Sequence, residues 1–261
     1  MSVLDSIIEG VRDDLAQRRR SMSELYEAME QAADVRDPLA TLQKNDMSII
    51  AEVKRSSPSK GSLAQISNPG ALAEQYALAG ATMISVLTER RRFAGSLEDL
   101  DAVRSRVDTP LLRKDFMIDE YQFFEARAHG ADVVLLIVAA LGHNQLRDYH
   151  QLALELGMRA IVEVHTHDEL ERALDFAPEI VGVNSRNLKT LEVDTKAFAD
   201  LIPRLPSSIV RVAESGVSSR ADVEFAQKSG ANAVLVGEAL VKAGDPVAAM
   251  RELLGLGRLA Q

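Results

Sequence analysis

Three stretches of this chain repeat one short pattern: AGATMISVL from Ala79, HGADVVLLIV from His129 and SGANAVLVG from Ser229. Each reads as the end of a helix, a glycine, and then an apolar run. Gly80, Gly130 and Gly230 suit the left-handed conformation that stops a helix, which glycine adopts without a Cβ penalty. The runs behind them lack polar alternation, as expected of parallel strands covered on both faces. Gly157 plays the same part ahead of MRAIVEV. Filling the gaps predicts strands near 47–53, 82–87, 109–112, 132–138, 159–164, 179–183, 209–213 and 232–236, with helices between them. The helix starts carry capping signals: Asn68 before Pro69, Ser96 with Asp99, Asp119 with Gln122, Thr166 with Glu169, and Ser219 with Asp222. Eight βα units in one chain predict an α/β fold of the (β/α)8 TIM-barrel type, with a doubly wound open sheet as the alternative.

A chain of 261 residues suits a single domain, because such barrels commonly run to ~250 residues. Residues 1–45 stand outside the repeat and predict an N-terminal helical extension, with helices over Val3–Arg20 and Ser23–Ala33, packed on a barrel spanning 46–261. Whether the extension plugs the barrel or touches a ligand is not set by pattern. The 30 Lys and Arg against 39 Asp and Glu leave a net charge of −9, which argues against nucleic acid as a partner because phosphates would be repelled. The chain has no cysteine, so disulfide and thiolate chemistry are excluded. The opening MSVLDSIIEGVRDDLAQRRR has no signal-peptide core, and the apolar stretch around Val133–Leu141 is far short of the ~20 residues that span a bilayer. A cytoplasmic protein with no membrane partner is expected, acting as a monomer.

In IIAEVKRSSPSKG, from Ile49 to Gly61, an apolar strand ends in two charges. Glu52 and Lys54 alternate with Ala51 and Val53, so their side chains share one face. In a parallel barrel the inward face at the C-terminal strand ends is where active sites sit. The other strand ends add Lys114, Glu163, Asn184 with Arg186, and Glu214 with Ser215. Several charges converging from different strands are costly to bury unless they are paired or used. The last two strands end in AESGV and VGEAL, where Ser215 with Gly216, and Gly237 with Glu238, offer backbone N–H groups just before helices; this predicts a phosphate site.

Glu163, His165 and His167 invite a test as metal ligands, but Thr166 reads as a helix cap that breaks the strand period, so no metal is expected. The arginine runs Arg18–Arg20 and Arg90–Arg92 read as solvated surface. The Ser57–Ser67 loop, with Gly61, is long enough to form a lid, though a plain surface loop fits equally.

With these residues assembled, the chain resembles the indole-3-glycerol phosphate synthase family over nearly its whole length. The blocks that carry the likeness are EVKRSSPSKG, SVLT with GSLEDL, LLRKDF, VEVHTHDEL, VGVNSRNL, AESGV and LVGEAL. The family's N-terminal helical segment also accounts for the residues before the barrel. One departure is Arg92, where the family often has an aromatic residue just before Phe93. The resemblance implies a phosphorylated small-molecule substrate, 1-(2-carboxyphenylamino)-1-deoxyribulose 5-phosphate, converted by ring closure, decarboxylation and dehydration, with no cofactor. It implies Lys114 as the acid that protonates the carbonyl, and Lys54 as a holder of carboxylate or phosphate, the two ammonium groups lowering each other's pKa. Glu163 and Glu52 are then candidates to relay protons in the dehydration. Asn184 would orient the sugar or carbonyl, Arg186 would help hold the charge of the phosphate or carboxylate, and Glu214 would steady a loop or a lysine. Ser57, Ser215, Gly216, Leu235, Gly237 and Glu238 would frame the substrate. The competing readings are a sugar-phosphate isomerase on the same barrel and a barrel that only binds a phosphorylated metabolite.

Overall fold

A computed structural model describes residues 2–43 and 46–256. Eight parallel strands close into a barrel: β1 Ser48–Val53, β2 Met83–Leu87, β3 Leu111–Lys114, β4 Val133–Ile137, β5 Arg159–Val164, β6 Ile180–Asn184, β7 Val210–Glu214 and β8 Ala233–Val236. Neighbours in sequence are neighbours in the sheet, and β1 closes on β8 with Ser48 opposite Ala233 and Ala51 opposite Val236. The open-sheet alternative is thereby excluded. Helices α1 Val3–Arg18, α2 Met22–Gln31 and α3 Leu39–Leu42 precede the barrel. The rest are α4 Pro69–Leu78, α5 Arg90–Phe93, α6 Leu97–Arg104, α7 Tyr121–Ala128, α8 His143–Glu155, α9 His167–Leu174, α10 Lys196–Leu201, α11 Arg220–Lys228, α12 Glu238–Val241 and α13 Pro246–Leu253. The repeat glycines do what the pattern predicts: Gly80, Gly130, Gly157 and Gly230 all have φ between +73° and +99°.

The predicted third strand, 109–112, lies two residues too early. Pro110 has no N–H to give to a ladder, so pairing begins at Leu111 and runs to Lys114. The caps on α4, α6, α9 and α11 form as predicted, each with the capping oxygen accepting an N–H three residues on. At α7, Asp119 instead accepts from Tyr121 N–H at 2.9 Å while Gln122 accepts from Asp119 N–H at 3.1 Å, so only the Gln122 half of the predicted box forms and the helix starts beyond Glu120. The loop after β1 carries a two-residue hairpin, Ser56–Ser57 against Gly61–Ser62, that the sequence pattern did not show.

One apolar layer lies between sheet and helices, and a second fills the barrel, where Ile50, Leu112, Leu135 and Ile161 meet. Leu4, Ile7 and Val11 of α1 join that inner layer, so the extension is bound to the barrel's own core. Each such side chain contributes about 1.5–3 kcal/mol when fully buried. The extension's end, expected at residue 45, lies outside the described residues.

The arginine runs lie largely at the surface, as expected, and several of their side chains are also tied down. Arg18 forks onto Glu125 at 3.0 Å through Nε and Nη2, and Glu125 also takes Arg113 Nη2 at 2.8 Å. Arg19 lies over the Tyr121 ring and pairs with Asp119 at 2.6 Å. Arg91 reaches Asp14 at 2.7 Å and Arg92 reaches Ser6 Oγ at 3.0 Å. Arg18 and Arg19 hold the C-terminal end of α1, and Arg91 and Arg92 hold it along its length at Asp14 and Ser6.

Candidate active site

The strand register sets the site. Leu87 pairs with Lys114, Ile137 with Glu163, Glu163 with Gly182, and Asn184 with Glu214, so the polar residues stand at one level around the C-terminal rim. Lys114, the last residue of β3, is largely enclosed, with its Nζ 3.2 Å from Glu163 Oε2 and 3.1 Å from Glu214 Oε2. Lys54, just past β1, is paired with Glu52.

Gly182 makes this crowding possible. A Cβ there would fall 2.1 Å from Glu214 Oε1 and 3.1 Å from Ile161 Cγ2, so the absence of a side chain on β6 is what leaves room for the carboxylate on β7.

Charge states follow from the packing. Burial alone would lower the Lys114 pKa, but Glu214, Glu163 and Glu52 outweigh it and hold the ammonium well above its ordinary value. The expectation that two lysines depress each other fails for Lys114 because three carboxylates surround it. Burial would raise Glu163, yet Lys114 and His165 bring it well below the ordinary carboxylate range. Burial and the nearby charge of Glu163 push Glu214 up to about 7, against the pull of Lys114. The cluster thus holds a fixed anion, a fixed cation and one carboxyl that titrates near neutrality.

Beyond β7, Ser215 and Gly216 have φ of +67° and +73°. Two consecutive left-handed residues turn the chain sharply at the end of β7, where Ser185 Oγ donates to Ser215 O at 3.1 Å. Gly237 follows β8 and precedes the single turn of α12, in which Glu238 is held by Lys242 Nζ at 2.7 Å. Arg186 donates from Nη1 to Ser59 Oγ at 3.1 Å and to Leu191 O at 3.0 Å, tying the loop after β1 to the loop after β6. Asn184 Oδ1 accepts the Arg186 N–H at 2.9 Å.

All of the sequence-predicted site residues line one cavity of about 670 Å³: Lys114, Lys54, Glu163, Glu52 and Asn184, with Ser57, Arg186, Glu214, Ser215, Gly216, Leu235, Gly237 and Glu238. Its polar floor faces an apolar side that sequence pattern did not reveal. Leu4 and Ile7 of α1 form part of that side, with Phe93, Phe116 and Leu188. The Phe93 and Phe116 rings stand 6.2 Å apart. The extension therefore lines the cavity, and Arg92, the departure from the aromatic residue that the family often has there, holds α1 while Phe93 lines the cavity. A periodic apolar face on α1 was readable; that its first turn would overhang the rim was not.

The metal trio does not assemble. His167 opens α9 and turns to Asp200 at 2.8 Å, whereas His165 faces Glu163 and Glu169. Among the described residues no group of three or more His, Asp or Glu side chains is arranged to hold a metal ion.

Comparison with known proteins agrees with this geometry. Residues 4–253 match the model of the family described as indole-3-glycerol phosphate synthase. A protein of that name from Kineococcus radiotolerans is 56% identical, over 98% of this chain and 96% of its own length. "Indole-3-glycerol phosphate synthase 1" from Streptomyces coelicolor is 54% identical over the same shares. Among solved structures, a 3-hexulose-6-phosphate synthase shares the fold at a TM-score of 0.65 and 19% identity, covering 80% of this chain and 99% of its own. A chain of the Pyrococcus furiosus tryptophan synthase complex does so at 0.60 and 20% identity, covering 81% and 99%.

Proposed function

Because the chain belongs to the indole-3-glycerol phosphate synthase family, and so is a decarboxylating lyase of tryptophan biosynthesis acting on a phosphorylated small molecule, we propose that Lys114 is the acid of its ring-closing step. The observation that carries this is the burial of its ammonium against Glu163 and Glu214 at the centre of the rim.

Ring closure turns the substrate's carbonyl oxygen into a hydroxyl as the aromatic carbon attacks, and Lys114 supplies the proton. Loss of carbon dioxide restores the aromatic ring. Dehydration then needs a second proton on the departing hydroxyl and a base for the proton left on carbon. Lys114 becomes neutral when it donates, and the nearer of the two cations that depressed Glu163 is gone. Its carboxylate regains basicity at the moment a base is required. Glu214, titrating near 7, returns a proton to Lys114. Glu52 and Lys54 form a second acid and base pair across the cavity. Asn184 orients the sugar, while Ser215, Gly216, Gly237 and Ser57 frame the phosphate, with Arg186 adding charge; Leu235 and Glu238 complete the wall. The aromatic ring lies against Phe93, Phe116 and α1.

No metal or organic cofactor is assigned a step. The chain acts as one domain, residues 1–45 forming an extension of the barrel 46–261, and as a cytoplasmic monomer. The shared core under α1 supports the single domain. The family match does not favour the isomerase or the binding-only reading.

Incubation with the substrate, following indole fluorescence and carbon dioxide, tests the activity. The chain has no Trp, so an indole signal comes from product. Equal yields of both are expected; isomerisation without carbon dioxide would reject the reading. Salt gives a second check. The cavity draws a multiply charged anion into a protein of net charge −9 through local cations. Raising ionic strength from about 0.05 M to about 0.5 M should raise KM several-fold and change kcat less than about twofold.

A further inference from the structure

Glu163 is held by two cations from opposite sides. Lys114 Nζ meets its Oε2 at 3.2 Å, and His165 Nε2 faces its Oε1 at 3.4 Å, an ion pair looser than a tight hydrogen bond. His165 is itself fixed from behind. Its backbone N–H donates to Glu169 Oε2 at 2.7 Å, and its Nδ1 stands 3.0 Å from the same oxygen. Both ring nitrogens therefore face carboxylate oxygens, which accept and do not donate. A neutral imidazole would turn one lone pair against an anion; only the doubly protonated ring presents positive charge to both, as a hydrogen bond to Glu169 and as an ion pair without hydrogen-bond geometry to Glu163.

The charged groups around the ring come from several elements. Glu163 belongs to β5 and Glu169 to α9; beyond Glu163 stand Lys114 of β3 and Glu214 of β7, with neutral Asn184 of β6 adding a hydrogen bond to Glu163. Burial favours the neutral ring, but Glu163 and Glu169 outweigh it and hold its pKa at about 10. His165 does not line the cavity, so it acts through Glu163.

We propose that His165 is a positioning residue whose imidazolium keeps Glu163 ionised and in place during the interval when Lys114 has given up its proton. This rests on Lys114 being the acid. Without a second cation, Glu163 and Glu214 would be two close carboxylates facing a neutral amine, and they would capture a proton between them. With the imidazolium present, Glu163 stays unprotonated until dehydration calls for a base.

Three measurements test it. In the ligand-free wild-type protein, nitrogen NMR should show both ring nitrogens of His165 protonated at pH 8; a neutral tautomer there would overturn the proposal without touching the Lys114 assignment. In His165→Asn, the acidic limb of kcat should rise by about one pH unit, with KM within about twofold. A uniform loss of kcat at every pH, or a change in KM alone, would mark His165 as mere scaffold. In Glu169→Gln the ring loses one carboxylate, so its raised pKa falls. The imidazolium is then lost as pH rises, and kcat should acquire a new basic limb near about pH 8. This arm stands even if the asparagine variant fails to fold, and a flat profile up to pH 9 would reject the idea. Inactive Lys114→Ala in the same assay is the separate test of the acid.

Discussion

Lys114→Ala is expected to lower kcat about a thousandfold, within the range a general acid supplies. The variant also leaves Glu163 and Glu214 buried without their shared ammonium. Breaking a buried pair from one side costs about 3–5 kcal/mol unless the stranded charge neutralises. This gives the stability measurement a sign. In the wild type Glu163 has a folded pKa below its unfolded one, so its contribution is present above the ordinary carboxylate range and lost as pH falls. In the variant Glu163 keeps the His165 imidazolium, but Glu214 loses the ammonium that pulled it down, so its folded value stands further above the unfolded one and that protein is favoured by acid and loses stability as pH rises. The gap in Tm between the two should widen from pH 5 to pH 8. An unchanged gap with full activity would show that the ammonium is neither acid nor counter-ion.

Gly182→Ala should be nearly as damaging although it removes nothing. The new methyl occupies space 2.1 Å from Glu214 Oε1 and 3.1 Å from Ile161, so the carboxylate must swing off Lys114. Overpacking of this kind costs about 1–3 kcal/mol. The loss in kcat is expected at about a hundredfold, as the proton-return path is cut. A double-variant cycle isolates the route. If Gly182 acts by making room for Glu214, then Gly182→Ala added to Glu214→Gln should cost little more than Glu214→Gln alone. Additive losses would mean that the methyl distorts β6 itself.

The floor of the cavity was legible in the sequence because period-two strands fix which residues face inward at a rim, and charges placed there have few alternatives to function. Its apolar side was not. Leu4 and Ile7 look like any buried face of an amphipathic helix, and only the docking of α1 puts them over the mouth. The clasp that docks it was equally hidden: Arg91 finds Asp14 across 77 residues and Arg18 finds Glu125 across 107, separations at which charge patterning has no local signature. His165 was read only against a metal, since Thr166 capping α9 is a local signal whereas the bridge from Glu169 to Glu163 is a tertiary one. The two-residue slip in β3 had a visible cause in Pro110, whose missing N–H delays the ladder and brings Lys114 into the strand's last position.

The closure of β1 on β8 gives the site a history as well as a shape. Glu52 and Lys54 leave the ribosome early, and a Cβ at Gly237 would meet Glu52 at 2.4 Å, so the wall behind them is delivered roughly 185 residues later. At usual rates of synthesis that is a wait of roughly 10–40 s. Throughout it the first strand has one free edge, and the charges on its end have no enclosure. A chain halted before Ala233 carries every lysine and glutamate of the reaction and has nowhere to perform it.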